Sequence, residues 1–139
     1  MRWLLALAAT LFGCSFSEDV QRDIDKYVQI AAEKEGLEAS QAMQHLQKIG
    51  KRTIPTIELA LQQARPAGKK NLITVLRRIG DGEVVPLLQQ LAIFDPELTV
   101  RREARMTIEG WAKAPGERGD KARAALRKID EATQRNEAG

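Results

Sequence analysis

The stretch Leu76-Arg77-Arg78-Ile79-Gly80-Asp81-Gly82-Glu83-Val84-Val85-Pro86-Leu87-Leu88 decides the fold, because the chain contains it in a second version. Upstream, Leu46-Gln47-Lys48-Ile49-Gly50 is followed by Ile54-Pro55-Thr56-Ile57. In each version a glycine follows an apolar helical run, and a proline opens the next. Glycine suits the end of a helix because it accepts a positive φ. Proline suits the first turn, where its missing N–H has no partner to lose. The two versions lie about 30 residues apart, a period of helical solenoids. Chance likeness between amphipathic helices would not readily set Ile-Gly and the downstream proline at matching places twice.

Working outward, apolar residues recur at helical spacing. Val20, Ile24, Tyr27, Val28 and Ala31 form one stripe. Ser17 is its candidate N-cap, Glu18 and Asp19 suit its first turn, and Gly36 its C-cap. Ala39, Ala42, Met43, Leu46 and Ile49 form a second stripe. A third starts at Ile54-Pro55, with Ile57, Leu61 and Ala64, before Arg65-Pro66. Leu72, Val75, Leu76 and Ile79 make a fourth; Val84, Val85, Leu88, Leu91 and Ala92 make a fifth. Asp95-Pro96-Glu97 reads as cap, first-turn proline and first-turn acid of a sixth helix carrying Val100, Ala104, Ile108 and Trp111. The last stripe is Ala122, Ala125, Leu126, Ile129 and Ala132. No segment alternates with period two, so the spacing predicts an all-α chain. The helical domain is expected over 19–135, with a frayed tail at 136–139.

The composition agrees. The 139 residues are rich in helix formers, and only 4% are aromatic. Lys and Arg number 22 against 19 acids, with both signs interleaved as on solvated helix faces. No basic run with interleaved aromatics is present, so nucleic acid is not expected as a partner. Cys14 is the single cysteine and leaves no intrachain disulfide.

At the N-terminus, Arg2 precedes an apolar run from Trp3 to Phe12, ending at Gly13-Cys14. This is the anatomy of a secretory signal peptide. The run is too short to span a bilayer as a helix, which needs roughly 20 residues. Leu11-Phe12-Gly13-Cys14 resembles the lipobox of bacterial lipoproteins, although Phe12 stands where a small residue is usual. The resemblance implies a signal peptide over 1–13, lipid on the Cys14 thiol and cleavage between Gly13 and Cys14. Residues 14–18 would then be a lipidated tether, and Ser15 points to the outer membrane, facing the periplasm. An ordinary secretory signal with an incidental cysteine is the other reading.

Ile79-Gly80-Asp81-Gly82-Glu83-Val84-Val85-Pro86-Leu87-Leu88, followed by Asp95-Pro96-Glu97-Leu98-Thr99-Val100-Arg101-Arg102-Glu103-Ala104, resembles the HEAT repeat, in the short variety also found in phycobilin lyases. The match covers 66–112. It is weaker over 37–65, where Lys51 takes the place of the aspartate, and weaker again over 113–135. The resemblance implies a short right-handed α-solenoid of about three hairpins with an N-terminal capping helix. It also implies that Arg101 pairs with an acid of a neighbouring repeat, Asp81 or Asp95.

Catalysis needs convergent reactive groups. His45 is the only histidine and reads as a surface or half-buried helix residue. A zinc site would need three or four ligands of its kind. Gly80-Asp81-Gly82 is too short for a phosphate loop. No catalytic residue, metal or cofactor is therefore expected, and an enzyme is not. The expected function is a membrane-anchored interaction scaffold for a protein partner. Its face would draw on Thr56, Glu58, Gln62, Gln63, Glu83, Gln89 and Gln90. The alternatives are an envelope lipoprotein without a stable partner and an accessory subunit of an enzyme.

Overall fold

The structure is a computed structural model that describes the backbone of residues 2–139 and the side chains of residues 17–139. Gly13 and Cys14, the expected cleavage and lipidation points, lie outside the described side chains. The elements are α1 (Arg2–Glu33), α2 (Gly36–Ile49), α3 (Ile54–Leu61), α4 (Pro66–Ile79), α5 (Val85–Phe94), α6 (Leu98–Ala112) and α7 (Glu117–Ala138). Short 3₁₀ turns, Gly50–Thr53 and Gly82–Val84, precede α3 and α5. There is no strand among the described residues.

Local chemistry accounts for most boundaries. Pro55, Pro66 and Pro86 each occupy the first turn of a helix. Gly80 ends α4 in the left-handed conformation at φ 72°, its N–H donating to the Leu76 carbonyl. Each apolar stripe turns inward. Ile24, Leu46, Ile57, Leu72, Leu88, Ile108 and Ile129, one from each helix, are buried in a single cluster. Burying one such side chain contributes roughly 1.5–3 kcal/mol, and all seven helices contribute to the one core. Ile73 is also fully buried, outside the expected stripe. The cause is that α4 is central: it packs against α1, α2, α3 and α6 and is covered on two sides.

Four expectations differ from the structure. Ser17 does not cap a helix, because α1 runs through it from Arg2, and no proline interrupts the chain before it. Gly36 does not end α1. It opens α2 at φ 64°, where the chain reverses after Glu33. At Asp95-Pro96-Glu97, α6 begins only at Leu98, and the Asp95 carboxylate accepts from the Glu97 N–H at 3.0 Å, a local turn ahead of the helix. The tail does not fray at 136, since α7 continues to Ala138.

Long-range contacts define two edges. At one, Lys51 Nζ lies 3.8 Å from Asp81 Oδ2, and Arg118 Nη1 donates to the Gly80 carbonyl at 2.8 Å. The turns after α2, α4 and α6 therefore lie side by side. At the other, Arg65 Nη2 donates to the Glu33 carbonyl at 3.0 Å, and Asn71 Nδ2 to the Ala31 carbonyl at 3.0 Å. Here α4 meets α1 closely: a Cβ at Gly68 would collide with the Ala32 carbonyl oxygen. Lys69 and Asp95 close the same edge with a nearly buried ion pair at 2.7 Å.

Candidate functional site

Two neighbouring clefts run along the side made by α1, α3 and α5. The first, of about 860 Å³, lies between α1 and α3. Thr56, Gln62 and Gln63 line it from α3 and the turn after it, facing Asp25, Gln29 and Glu33 of α1. The second lies between α3 and α5, lined by Glu58, Gln62, Gln90 and the apolar Leu87, Leu91 and Phe94. Each combines amide and carboxylate groups with an apolar floor, and each is open. That form suits an extended segment of another chain better than an enclosed small molecule.

The seven candidate face residues therefore divide. Thr56, Glu58, Gln62, Gln63 and Gln90 belong to the two clefts. Gln89 is half-buried on α5 and lines neither of them. Glu83 stands at the turn edge, 3.1 Å from Lys121 Nζ. Sequence reading missed the exposed apolar residues beside the clefts, Leu59 at 66% and Phe94 at 74% exposure. The available signal was their position off the apolar stripes of α3 and α5 that turn to the core.

Arg101 does not take a carboxylate. Its Nη1 donates to the backbone carbonyls of Asp95 at 2.7 Å and Pro96 at 3.1 Å, holding the turn before α6. The Asp95 carboxylate is already engaged by Lys69 and the Glu97 N–H. Asp81 accepts from the Glu83 N–H at 3.0 Å and faces Lys51. Lys69–Asp95 thus closes the α4/α5 hairpin on itself, and the charge pair from α4 to the next hairpin is Arg77 Nη1–Glu103 Oε1 at 3.2 Å, not one made by Arg101.

Two further sets of charge pairs fasten the last helix. Hydrogen bonds to Glu109 and Asp130 hold the Arg105 guanidinium above its ordinary value and join α6 to α7. Hydrogen bonds to Glu83, then Glu117, raise the Lys121 ammonium and tie α7 to the turn after α4. His45 is exposed and stacks on Tyr27, ring centroids 4.4 Å apart, so it braces α2 against α1. Among the described residues, no group of three or more His, Cys, Asp or Glu side chains could hold a metal ion. Among them also, no helix is long and apolar enough to cross a membrane. Comparison with known proteins finds no matching family model, no matching curated protein and no matching solved structure.

Proposed function

We propose that this chain is a short α-solenoid of stacked hairpins, held to a bacterial membrane by lipid on Cys14, and that it serves as a protein–protein interaction scaffold on the periplasmic side. The serial packing of α2 on α4 and α4 on α6, with α5 on α7, supports the stacked arrangement. The lipobox-like Leu11-Phe12-Gly13-Cys14 supports the anchor. The observation that carries the scaffold reading is the pair of adjoining open clefts, where Gln62 reaches both and Phe94 is exposed beside the second. An amide-lined groove with an exposed aromatic is the composition of a protein interface of modest, partly wet character.

A photoreactive side chain at Gln63, in the native membrane, should crosslink one species of defined mass. The same group at Gln47, an exposed residue on α2 away from the clefts, should not, and Phe94→Asp should weaken the Gln63 product. Equal labelling at both positions, or none at Gln63, would count against a scaffold and leave an envelope lipoprotein without a partner. Cys14→Ala should abolish palmitate incorporation and release the protein from the membrane fraction.

A further inference from the structure

We propose that the edge formed by the turns after α2, α4 and α6 docks on the anionic headgroups of the bilayer, so that the stack stands on this edge with the clefts at its side. The inference rests on the lipid-anchor reading above and adds an orientation and a lipid preference to it.

The first observation is where the N-terminal segment leaves the stack. Gln21 Nε2 donates to Thr56 Oγ1 at 3.1 Å, which sets the Ser17 end of the described α1 beside the first turn of α3. The other end of α1 lies at the opposite edge, against Arg65 and Asn71. A lipid on Cys14, three residues before Ser17, therefore draws the turn edge toward the bilayer.

The second observation is charge. The acids near the three turns are largely spent within the protein. Glu83 and Glu117 hold Lys121, Asp120 holds Arg123, and Asp81 caps its own turn and faces Lys51. Lys48, Arg52 and Arg78 are exposed at the same edge, and none has a carboxylate within 4.0 Å among the described residues. The helix dipole accounts for Lys48 and Arg78, which sit at the last turns of α2 and α4. It does not account for Arg52, which lies in the 3₁₀ turn beyond. On the α1 side Glu18, Asp19 and Asp23 are exposed, Asp19 facing Arg22 at 3.4 Å. Cations without a carboxylate partner among the described residues thus stand at all three turns, since Lys113 at the end of α6 is exposed as well and Arg118 beside it bonds only the Gly80 carbonyl. Cations held near an anionic leaflet each strengthen membrane attraction, and the effect fades with salt. An anionic membrane fits better than nucleic acid: the patch is small, carries no exposed aromatic, and lies at the edge from which the N-terminal segment departs.

The test uses the full chain carrying Cys14→Ala, so that no lipid masks weak binding. Affinity is measured for phosphatidylcholine vesicles and for vesicles with phosphatidylglycerol added, at low and high salt. The expected result is tighter binding to the anionic vesicles, reduced by salt. K48E/R52E/R78E should remove roughly tenfold or more of that affinity, and K48Q/R52Q/R78Q an intermediate amount. Circular dichroism of both variants should match the parent, because all three side chains are exposed, and the melting temperature should fall modestly, more for the glutamate variant, as the last turns of α2 and α4 lose their cations. Equal affinity for the two vesicle types, no change in the variants, or tighter binding to duplex DNA at the same salt would each overturn the proposal. The anchor is judged separately. If the unmutated chain takes up no palmitate while the anionic preference stands, the anchor reading has failed and the edge's lipid preference has not.

Discussion

Between α2 and α3 the chain turns on the Thr53 hydroxyl; between α4 and α5 it turns on the Asp81 carboxylate. In the first turn Thr53 is fully buried and its Oγ1 donates to the Gly50 carbonyl at 2.8 Å. In the second, Asp81 accepts from the Glu83 N–H, and the connection from Ile79 to Val85 is one residue longer than that from Ile49 to Ile54. Glycine holds a positive φ in both, 81° at Gly50 and 72° at Gly80. The two turns thus keep a glycine at positive φ and differ in the polar contact beside it, a hydroxyl donating to a carbonyl in one and a carboxylate accepting from an N–H in the other. Lys51, which occupies the place of Asp81 in the first copy, does not reproduce the cap; it reaches across to Asp81. The position at which the two turns differ becomes a contact between them.

The comparison can be broken most severely in the core. Leu88→Asp and Ile57→Asp each place a charge at a fully buried site of the second or first hairpin. Each should cost about 4 kcal/mol or more and abolish the whole helical signal in one thermal transition. Survival of one hairpin's helicity in either variant would show that the two do not share a core. Next is Lys69→Met, which strands the buried Asp95 carboxylate. A loss of about 3 kcal/mol is expected by chemical denaturation; a neutral result would show Asp95 to be served adequately by the Glu97 N–H.

Smaller effects sharpen the comparison of the turns themselves. Thr53→Val should cost about 1–2 kcal/mol and Asp81→Ala about 1 kcal/mol, the worth of a buried hydrogen bond and of a local cap. Lys51→Ala should cost less than about 0.5 kcal/mol and vanish at high salt, because its ammonium is 79% exposed. The smallest effect is alkaline. Lys121 is raised above its ordinary value of 10.5 by Glu83 and Glu117. Its pairing with them is therefore complete below pH 10.5 and is lost as pH climbs through the raised value. Lys121→Gln should flatten that alkaline limb of the stability curve and leave neutral pH nearly unchanged.

What the sequence disclosed were the features set by near neighbours. The stripes, the opening prolines Pro55 and Pro86 and Gly80 as a helix stop depend on the residue itself and the next turn, and these are found in place, whereas Pro96 lies ahead of its helix. The helix start at Asp95 is misplaced because a capping side chain can serve a turn as well as a helix, and that at Ser17 because a cap residue can also lie inside a helix that began earlier; local pattern does not choose between these. Ile73 escaped notice because its burial needs a second neighbour for α4, which one helix's periodicity does not reveal. Partner choice was the least legible. Lys69 and Arg101 are both cations within reach of Asp95, and only packing decides that Lys69 takes the carboxylate and Arg101 the backbone. The clefts were half legible for the same reason: polar residues on α3 could be picked out, but the α1 wall that completes the first cleft comes from chain reversal at Gly36.

Distances between turns test the stacking directly. Spin labels at Lys51→Cys and Glu117→Cys, in a Cys14→Ala chain, mark the first and third turns of the turn edge. With hairpins stacked in series the labels should lie about two helix-packing distances apart, roughly 20 Å, in one narrow distribution. Adjacent labels near 10 Å, or a broad distribution with several components, would contradict a serial stack.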